Sequence, residues 1–322
     1  RCRGRRARRR RRGIGRVARG PPSRMIRAVA RAIGRAFGLL VGAYFTYVAY
    51  RGSRLLVQPE VRPFLPEYAG APATPGDLGL DYEVVRFTTD DGVTLTGWLV
   101  PAARDTRTAV IVLHGFSGHR LPELAAFVPW LHEHHHVLQF DFRGHGESDP
   151  GHITLGWRER RDVAAAVRFV EGRGLGPIAL FGISMGASTA IVSAPDLPVA
   201  AVVADAPFAE IHHPVANRMR EAGYPLAGAG ARAIVVGAAL RTRTRLRNPI
   251  DVVERIAPRP LLVISPGEDR LIDRSQSERL FRRAGQPKEL YRVEGAGHAE
   301  AYAVDPEAYR SRVIGFLERH LG

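Results

Sequence analysis

The stretch Ile178 to Val192 reads IALFGISMGASTAIV, and it decides the fold of this chain. The apolar run Ile178 to Phe181 is typical of a short buried β-strand, and the small and apolar residues after Gly186 favour a helix. A strand that turns sharply into a helix leaves no room for side chains beside the turn, which explains Gly182 and Gly186. Such a turn projects its central residue above the sheet. We therefore predict Ser184 as a nucleophile.

Apolar runs and helical periods alternate along the rest of the chain. Residues 82–88 and 93–100 alternate in polarity around an Asp-Gly turn, which predicts an antiparallel hairpin. The remaining pattern predicts an α/β fold with a mostly parallel central sheet and helices on both faces. The predicted buried strands are Ala109 to Leu113, Val137 to Phe140, Ile178 to Phe181, Val199 to Ala204, Leu261 to Ile264 and Leu290 to Val293.

Two loops downstream of Ser184 carry the partners that a serine nucleophile needs. A serine hydroxyl requires a base, and the base requires a group that fixes its tautomer. His298 follows the last predicted strand in a loop of small residues, and Asp269 follows the strand Leu261 to Ile264 at the same edge of the sheet. We predict His298 as the general base and Asp269 as its orienting acid. The backbone N–H of Met185 would stabilise the oxyanion.

These motifs together resemble the α/β-hydrolase fold serine hydrolases, over about residues 81 to 322. Besides GISMG, the resemblance rests on DGVTLTGW (91–98), the His114-Gly115 loop and DFRGHGES (141–148). They are similar to the bacterial branch that has an N-terminal membrane anchor and a small lid. The resemblance implies the catalytic order Ser184, Asp269, His298, and it implies no cofactor and no metal. It also implies that the backbone N–H of Phe116 is the second oxyanion donor.

The acid loop departs from the family pattern. Pro266 stands two positions after the strand, where the family usually has glycine, and Asp273 stands where it usually has proline. Asp273 is therefore an alternative acid. Asp205, after the strand Val199 to Ala204, occupies the other position where this fold can place its acid. We favour Asp269 because the fold delivers its loop to the histidine.

The activity that the resemblance implies is acyl transfer from an ester, thioester or amide to Ser184 and then to water. Carboxylesterase or lipase-like action on a small-molecule or lipid ester is favoured, because no propeller or large cap precedes the fold. Two alternatives stay open: a serine peptidase or amidase of the same fold, and a non-catalytic α/β-hydrolase-like binding protein. Residues at about 207–250 are predicted to form a short lid insertion whose apolar residues line the pocket.

Charge and cysteine content exclude several classes of protein. The single cysteine, Cys2, cannot form an intramolecular disulfide or a cysteine-rich zinc site. The net charge of +15 comes from residues 1–35, which hold fifteen arginines and no acid, and the other 287 residues are balanced. We therefore expect no nucleic-acid partner for the folded body, and an arginine arm that contacts RNA or anionic lipid stays open as an alternative. We interpret residues 1–24 as an Arg-rich disordered arm or as a segment upstream of a true start at Met25.

An uncharged stretch at residues 36–50, AFGLLVGAYFTYVAY, follows three spaced arginines. We predict that residues 25–57 form a membrane-anchor helix region, followed by a Pro-rich linker at residues 58–80. A cleaved signal peptide, an amphipathic surface helix and a packed soluble helix stay open as alternatives. The arginine excess before the stretch places the hydrolase domain outside the cytoplasm, with a cytoplasmic protein as the alternative.

Four histidines, His132, His134, His135 and His136, lie between a predicted helix and a predicted strand. Their order does not match a known set of zinc ligands. We interpret them as a solvated helix end.

Overall fold

A computed structural model describes residues 24–58, 72–116 and 118–322 of the chain. The chain divides between Tyr44 and Phe45 into two compact units. The described part of the first unit is helical and largely exposed, and the second unit contains the sheet. Residues 1–23 of the predicted arm and residues 59–71 of the predicted linker lie outside the described residues, as does Ser117.

The described residues contain an eight-stranded sheet with the spatial order β1-β2-β4-β3-β5-β6-β7-β8. The β1–β2 and β2–β4 pairs are antiparallel, and every other pair is parallel. The strands are β1 (Glu83–Thr88), β2 (Thr94–Val100), β3 (Ala109–Leu113), β4 (His136–Phe140), β5 (Ile178–Ile183), β6 (Ala201–Asp205), β7 (Leu261–Pro266) and β8 (Lys288–Val293).

The helices in the described part of the chain are α1 (Arg24–Val57), α2 (Leu121–His132), α3 (Glu159–Gly172), α4 (Met185–Ser193), α5 (His212–Glu221), α6 (Ala227–Thr242), α7 (Arg274–Arg283), α8 (Ala301–Val304) and α9 (Pro306–Leu321). Short 3-10 helices lie at Pro75–Leu78, Ala194–Asp196, Pro249–Asp251 and Val253–Ile256.

The hydrophobic core has two halves, one on each face of the sheet. In β5, Ile178 and Leu180 point into one half, while Ala179 and Phe181 point into the other. Helices α3 and α4 cover the first face, and α2 and α9 cover the second. Every residue of β5 is buried, which is the expected environment of a central parallel strand.

The predicted fold class is confirmed, with the two antiparallel strands at the start of the sheet. Several strand ends differ from the prediction by one to two residues. Pairing in β5 extends past the apolar run to Gly182 and Ile183, whereas β6 begins at Ala201 rather than at Val199. Two helices, α5 and α6, lie within the range predicted for the lid. Pro75–Leu78, within the range predicted for the linker, forms a 3-10 helix.

The expectation of a solvated histidine cluster is wrong for His135. Its side chain is fully buried and its Nδ1 lies 2.7 Å from the hydroxyl of Thr108. Burial lowers the pKa of His135 to about 4, so the ring is neutral near pH 7. The residue lies directly before β4, and its backbone N–H donates to the carbonyl of Leu131 at 2.9 Å.

Candidate active site

Ser184 lies at the crest of the turn between β5 and α4, with φ 55° and ψ −112°. This strained backbone is typical of a residue that is held in place for function. A side chain on Gly182 would collide with the backbone of Gly186, and one on Gly186 would collide with the carbonyl of Leu113. Both glycines are therefore required for the strand and helix to approach this closely. The backbone N–H of Ser184 donates to the carbonyl of Asp205 at 2.8 Å, which fastens the turn to β6.

The side chains of Ser184, His298 and Asp269 form one chain of hydrogen bonds. Nε2 of His298 lies 2.9 Å from Oγ of Ser184, and Nδ1 of His298 lies 2.7 Å from Oδ2 of Asp269. The other oxygen of Asp269 accepts the backbone N–H groups of Leu271 at 2.9 Å and Ile272 at 2.7 Å. These two bonds hold the carboxylate in one orientation. A carboxylate placed this way fixes the proton on Nδ1 and leaves Nε2 free to accept the serine proton.

The two alternative acids occupy other environments. Asp273 caps α7, where its Oδ1 accepts the backbone N–H of Ser275 at 2.9 Å. Hydrogen bonds from Ser275 lower the pKa of Asp273. Asp205 is buried and accepts the hydroxyl of Tyr309 at 2.8 Å. Within the described residues, neither carboxyl hydrogen-bonds to His298.

The predicted oxyanion donors belong to two separate segments of the chain. Met185 is the first residue of α4, and Phe116 lies in the turn that follows β3. Both residues line the same cavity as Ser184. Gly115 passes close to the serine, because a Cβ built on it would lie 3.8 Å from the Ser184 Cβ.

His114 braces the loop that carries Phe116. Its Nε2 accepts the backbone N–H of Phe142 at 3.0 Å, so the proton must lie on Nδ1, which donates to the carbonyl of Gly115 at 2.8 Å. Burial is the largest cause that lowers the pKa of His114 well below its ordinary value. The neutral ring therefore ties the loop to the segment after β4.

The sequence interpretation missed a buried ion pair behind this loop. The guanidinium of Arg120 pairs with the carboxylate of Asp141, and its backbone N–H donates to the same carboxylate at 2.8 Å. Both side chains are at most 1% exposed. Arg120 also lies over the ring of Trp98, 3.9 Å from the centroid, and pairs with Glu147. The available signal was the acidic residue directly after the buried strand β4, a position that usually faces the site.

Glu123 is a second residue that the sequence interpretation missed. Its side chain is buried in the first turn of α2 and lines the cavity beside Ser184. Burial raises the pKa of Glu123 to about 8, so its carboxyl is largely protonated near pH 7. Nothing in the local sequence distinguishes this residue from an exposed glutamate at a helix start.

The cavity above Ser184 has a volume of about 510 Å³ and a mostly apolar lining. This volume lies within the range of small-molecule sites. The segment predicted as the lid contributes Phe208, Val215 and Ile234, and the loop after β7 contributes Leu271 and Ile272. An apolar cleft that opens on a serine hydrogen-bonded to a histidine has room for a small molecule and excludes part of the bulk water.

A family model described as the alpha/beta hydrolase family matches residues 110–312 of this chain, which is more than half of its length. An uncharacterized protein of Mycobacterium tuberculosis (strain H37Rv) is 32% identical over 259 residues, which cover 78% of this chain and 82% of that protein. The polyketide transferase GrgF of Penicillium is 28% identical over 283 residues, which cover 74% of this chain and 96% of the transferase.

Solved structures with a similar fold include an esterase. The Pyrococcus furiosus esterase Pf2001 is 29% identical with a TM-score of 0.67, over 77% of this chain and 95% of the esterase chain. The crystal structure of Penicillium GrgF has 26% identity and a TM-score of 0.62, over 75% of this chain and 99% of that chain. The order of the strands, the strand–serine–helix turn and these matches lead to one conclusion. The chain belongs to the alpha/beta hydrolase family.

Proposed function

We propose that this hydrolase is a serine esterase that cleaves carboxylic esters through an acyl-enzyme. The observation that carries the proposal is the continuous hydrogen-bonded chain from Ser184 through His298 to Asp269. The esterase from Pyrococcus furiosus, which shares 29% identity, supports an ester as the substrate. The apolar lining of the cavity supports an ester with an apolar group.

In the proposed mechanism, Oγ of Ser184 attacks the ester carbonyl while Nε2 of His298 accepts the serine proton. Asp269 orients the imidazole and stabilises the imidazolium that forms. The backbone N–H groups of Met185 and Phe116 donate to the oxyanion, and each such donor contributes about 3 kcal/mol in comparable sites. His298 then protonates the leaving alcohol. In a second step, water attacks the acyl-enzyme while His298 accepts the proton of the water. His298 then returns this proton to Oγ of Ser184 as the acid is released.

Acyl transfer to an acceptor other than water is a second candidate, because the Penicillium relative is a polyketide transferase. Both reactions pass through the same acyl-enzyme and differ in the nucleophile of the second step. Product analysis separates them: hydrolysis yields the free acid, and transfer yields an acylated alcohol or thiol when such an acceptor is supplied.

Labelling with a fluorophosphonate tests the nucleophile directly, because the reagent modifies only activated serines. We expect the full-length protein and Ser311→Ala to be labelled, and Ser184→Ala to lose the label. Ser311 is a suitable control because it is exposed on α9. A folded wild type that stays unlabelled and cleaves no ester would favour the non-catalytic binding protein. Parallel assays with an ester and an amide of the same acyl chain separate esterase from amidase action.

We further propose that α1 anchors the protein in a membrane. Among the described residues, α1 is the single helix that is long and apolar enough to cross a bilayer. Large apolar side chains on it are exposed to solvent rather than buried in the core, including Ile33, Phe37, Leu39 and Leu40. Exposed apolar surface of this extent is typical of a membrane or protein contact. The side of the membrane that holds the hydrolase domain stays a prediction.

A further inference from the structure

The end of α1 is part of the hydrolase unit. Residues from Phe45 onward belong to the compact unit that contains the sheet. Val48 and Val57 are buried, and Leu56 packs against the core. The carbonyl of Val57 accepts the backbone N–H of Ile153 at 3.0 Å, which joins the helix end to the segment before α3. This part of the helix therefore has a fixed position in the hydrolase body.

The lid helix α6 crosses this part of α1 at close range. The side chain of Ile234 fills the space where a side chain on Gly52 would lie. A Cβ on Gly237 would lie 2.9 Å from the carbonyl of Ala49 and 3.1 Å from the Cβ of Ser53. Such close approach between helices requires residues without side chains at the crossing. The lid helix and the end of α1 thus pack directly against each other.

Hydrogen bonds reinforce this crossing. The guanidinium of Arg241 on α6 donates to the carbonyl of Tyr50 and to the hydroxyl of Ser53, each at 3.4 Å. The same guanidinium lies 5.3 Å from the centre of the Tyr50 ring. These contacts fasten the C-terminal part of α6 to α1, so the lid and the helix end hold a common position above the sheet.

One face of this helix end opens into the cavity above Ser184. Gly52, Leu55 and Leu56 line that cavity, and their spacing of three and four residues places them on the same face of a helix. Ile234 of the lid lines the cavity beside them. No charged side chain of α1 lines the cavity in the described part of the chain. The wall that α1 contributes is therefore entirely apolar.

We infer that the end of α1 is a specificity element of the active site, in addition to any role in membrane anchoring. Leu55 and Leu56, with Ile234 beside them, bind the hydrocarbon chain of the substrate and set the chain length that the cavity accepts. This inference rests on the proposed esterase function and names the substrate class as esters with an extended hydrocarbon chain. The packing of α1 supports this inference, because a cavity wall that is held in place at both of its ends can discriminate between substrates by their size.

Chain-length profiles of the full-length protein test this inference. The probes are p-nitrophenyl acetate, butyrate, octanoate and laurate, with acetates of the matching alkyl alcohols as a second series. The readout is the ratio of kcat/KM for octanoate to kcat/KM for acetate, because this ratio is independent of the fraction of folded enzyme. The two series show whether the chain that binds is on the acyl or the alcohol side.

We expect Leu56→Trp to lower this ratio at least about tenfold, the size of effect that one or two methylene positions produce in a hydrophobic pocket. Leu55→Trp should lower it in the same direction and keeps the fold, because Leu55 is 57% exposed. Ile234→Ala should shift the preference toward laurate because it widens the cavity. The matched control is Leu40→Trp, on the same helix at a 70% exposed position that does not line the cavity.

Equal profiles for Leu56→Trp, Leu55→Trp and Leu40→Trp in both ester series would overturn the inference. In that case fluorophosphonate labelling of Ser184 would still support the proposed function. A wild type that is neither labelled nor active on p-nitrophenyl acetate would overturn the proposed function, and the inference with it. A lowered ratio confined to the two cavity-lining leucines supports the inference.

Discussion

The hydroxyl of Tyr309 donates a 2.8 Å hydrogen bond to Oδ2 of Asp205, and both side chains are buried beneath the candidate active site. Burial raises the pKa of Asp205 to about 7, although the bond from Tyr309 opposes the shift. This carboxyl is thus tied to α9, while the carboxyl of Asp269 is turned toward His298 by two backbone N–H groups. Asp205 is therefore bound to Tyr309, whereas Asp269 is the acid that hydrogen-bonds to His298.

We expect Asp269→Asn to lower kcat on p-nitrophenyl acetate by about ten-thousandfold, because an amide favours the wrong tautomer of the histidine. Asp205→Asn keeps the length of the side chain and should lower kcat by less than about tenfold. Steady-state kinetics of the two matched variants measure this difference. The reverse order of effects would assign the orienting role to Asp205.

The buried pair of Arg120 and Asp141 should contribute to stability mainly through the cost of breaking it. We expect Asp141→Ala to lower the free energy of unfolding by about 3 to 5 kcal/mol, because it leaves the buried guanidinium of Arg120 without this charge. The exposed pair of Arg218 and Glu221 is the control, and Glu221→Ala should cost less than about 1 kcal/mol. Urea unfolding followed by circular dichroism measures both. Similar losses in the two variants would contradict the expectation.

Glu123 should make the stability depend on pH. Its pKa is raised from 4.5 to about 8 by burial, so the unfolded chain loses this proton at lower pH than the folded protein does. The contribution of Glu123 to stability is therefore fully present below about pH 4.5 and is lost as the pH rises toward about 8. The slope in this window is at most about 1.4 kcal/mol per pH unit.

Thermal or urea unfolding at about pH 5.5 and about pH 8 measures this effect. We expect the wild type to lose stability relative to Glu123→Gln as the pH rises, because glutamine has no proton to release. Glu221→Gln, on an exposed surface, should follow the wild type. Parallel pH profiles for wild type and Glu123→Gln would show that Glu123 has an ordinary pKa.

The proposed anchor predicts where the protein is found in cells. We expect the wild type in the membrane fraction after alkaline carbonate washing, and the double variant Leu39→Asp with Leu40→Asp in the soluble fraction. Each aspartate near the centre of a membrane helix costs about 3 kcal/mol of insertion free energy. The control Leu240→Asp changes a 74% exposed residue on α6 and should stay with the membrane. Release of the wild type by the wash would refute the anchor.

The fold class could be predicted from the sequence because its signals are local. The buried run of β5, the glycines around Ser184 and the alternation of the first hairpin each follow from sterics and burial within a few residues. Ser184 and His298 could be named for the same reason, since each lies in a loop directly after a predicted strand. The positions of loops at the carboxyl edge of a parallel sheet follow from the topology.

Only the tertiary structure decided which acid faces His298 and what lines the cavity. Asp205, Asp269 and Asp273 all follow strand or loop signals. Backbone N–H groups two to three residues away hold Asp269 and Asp273, and the hydroxyl of Tyr309 holds Asp205, but which of the three meets His298 depends on how distant loops pack together. The protonation of Glu123 depends on water exclusion by packed neighbours, which no local pattern encodes. The role of α1 at the cavity likewise depends on tertiary packing. Its apolar composition indicates a helix that is stable in a nonpolar environment. The contact of its last turns with α6 forms only when the chain is folded.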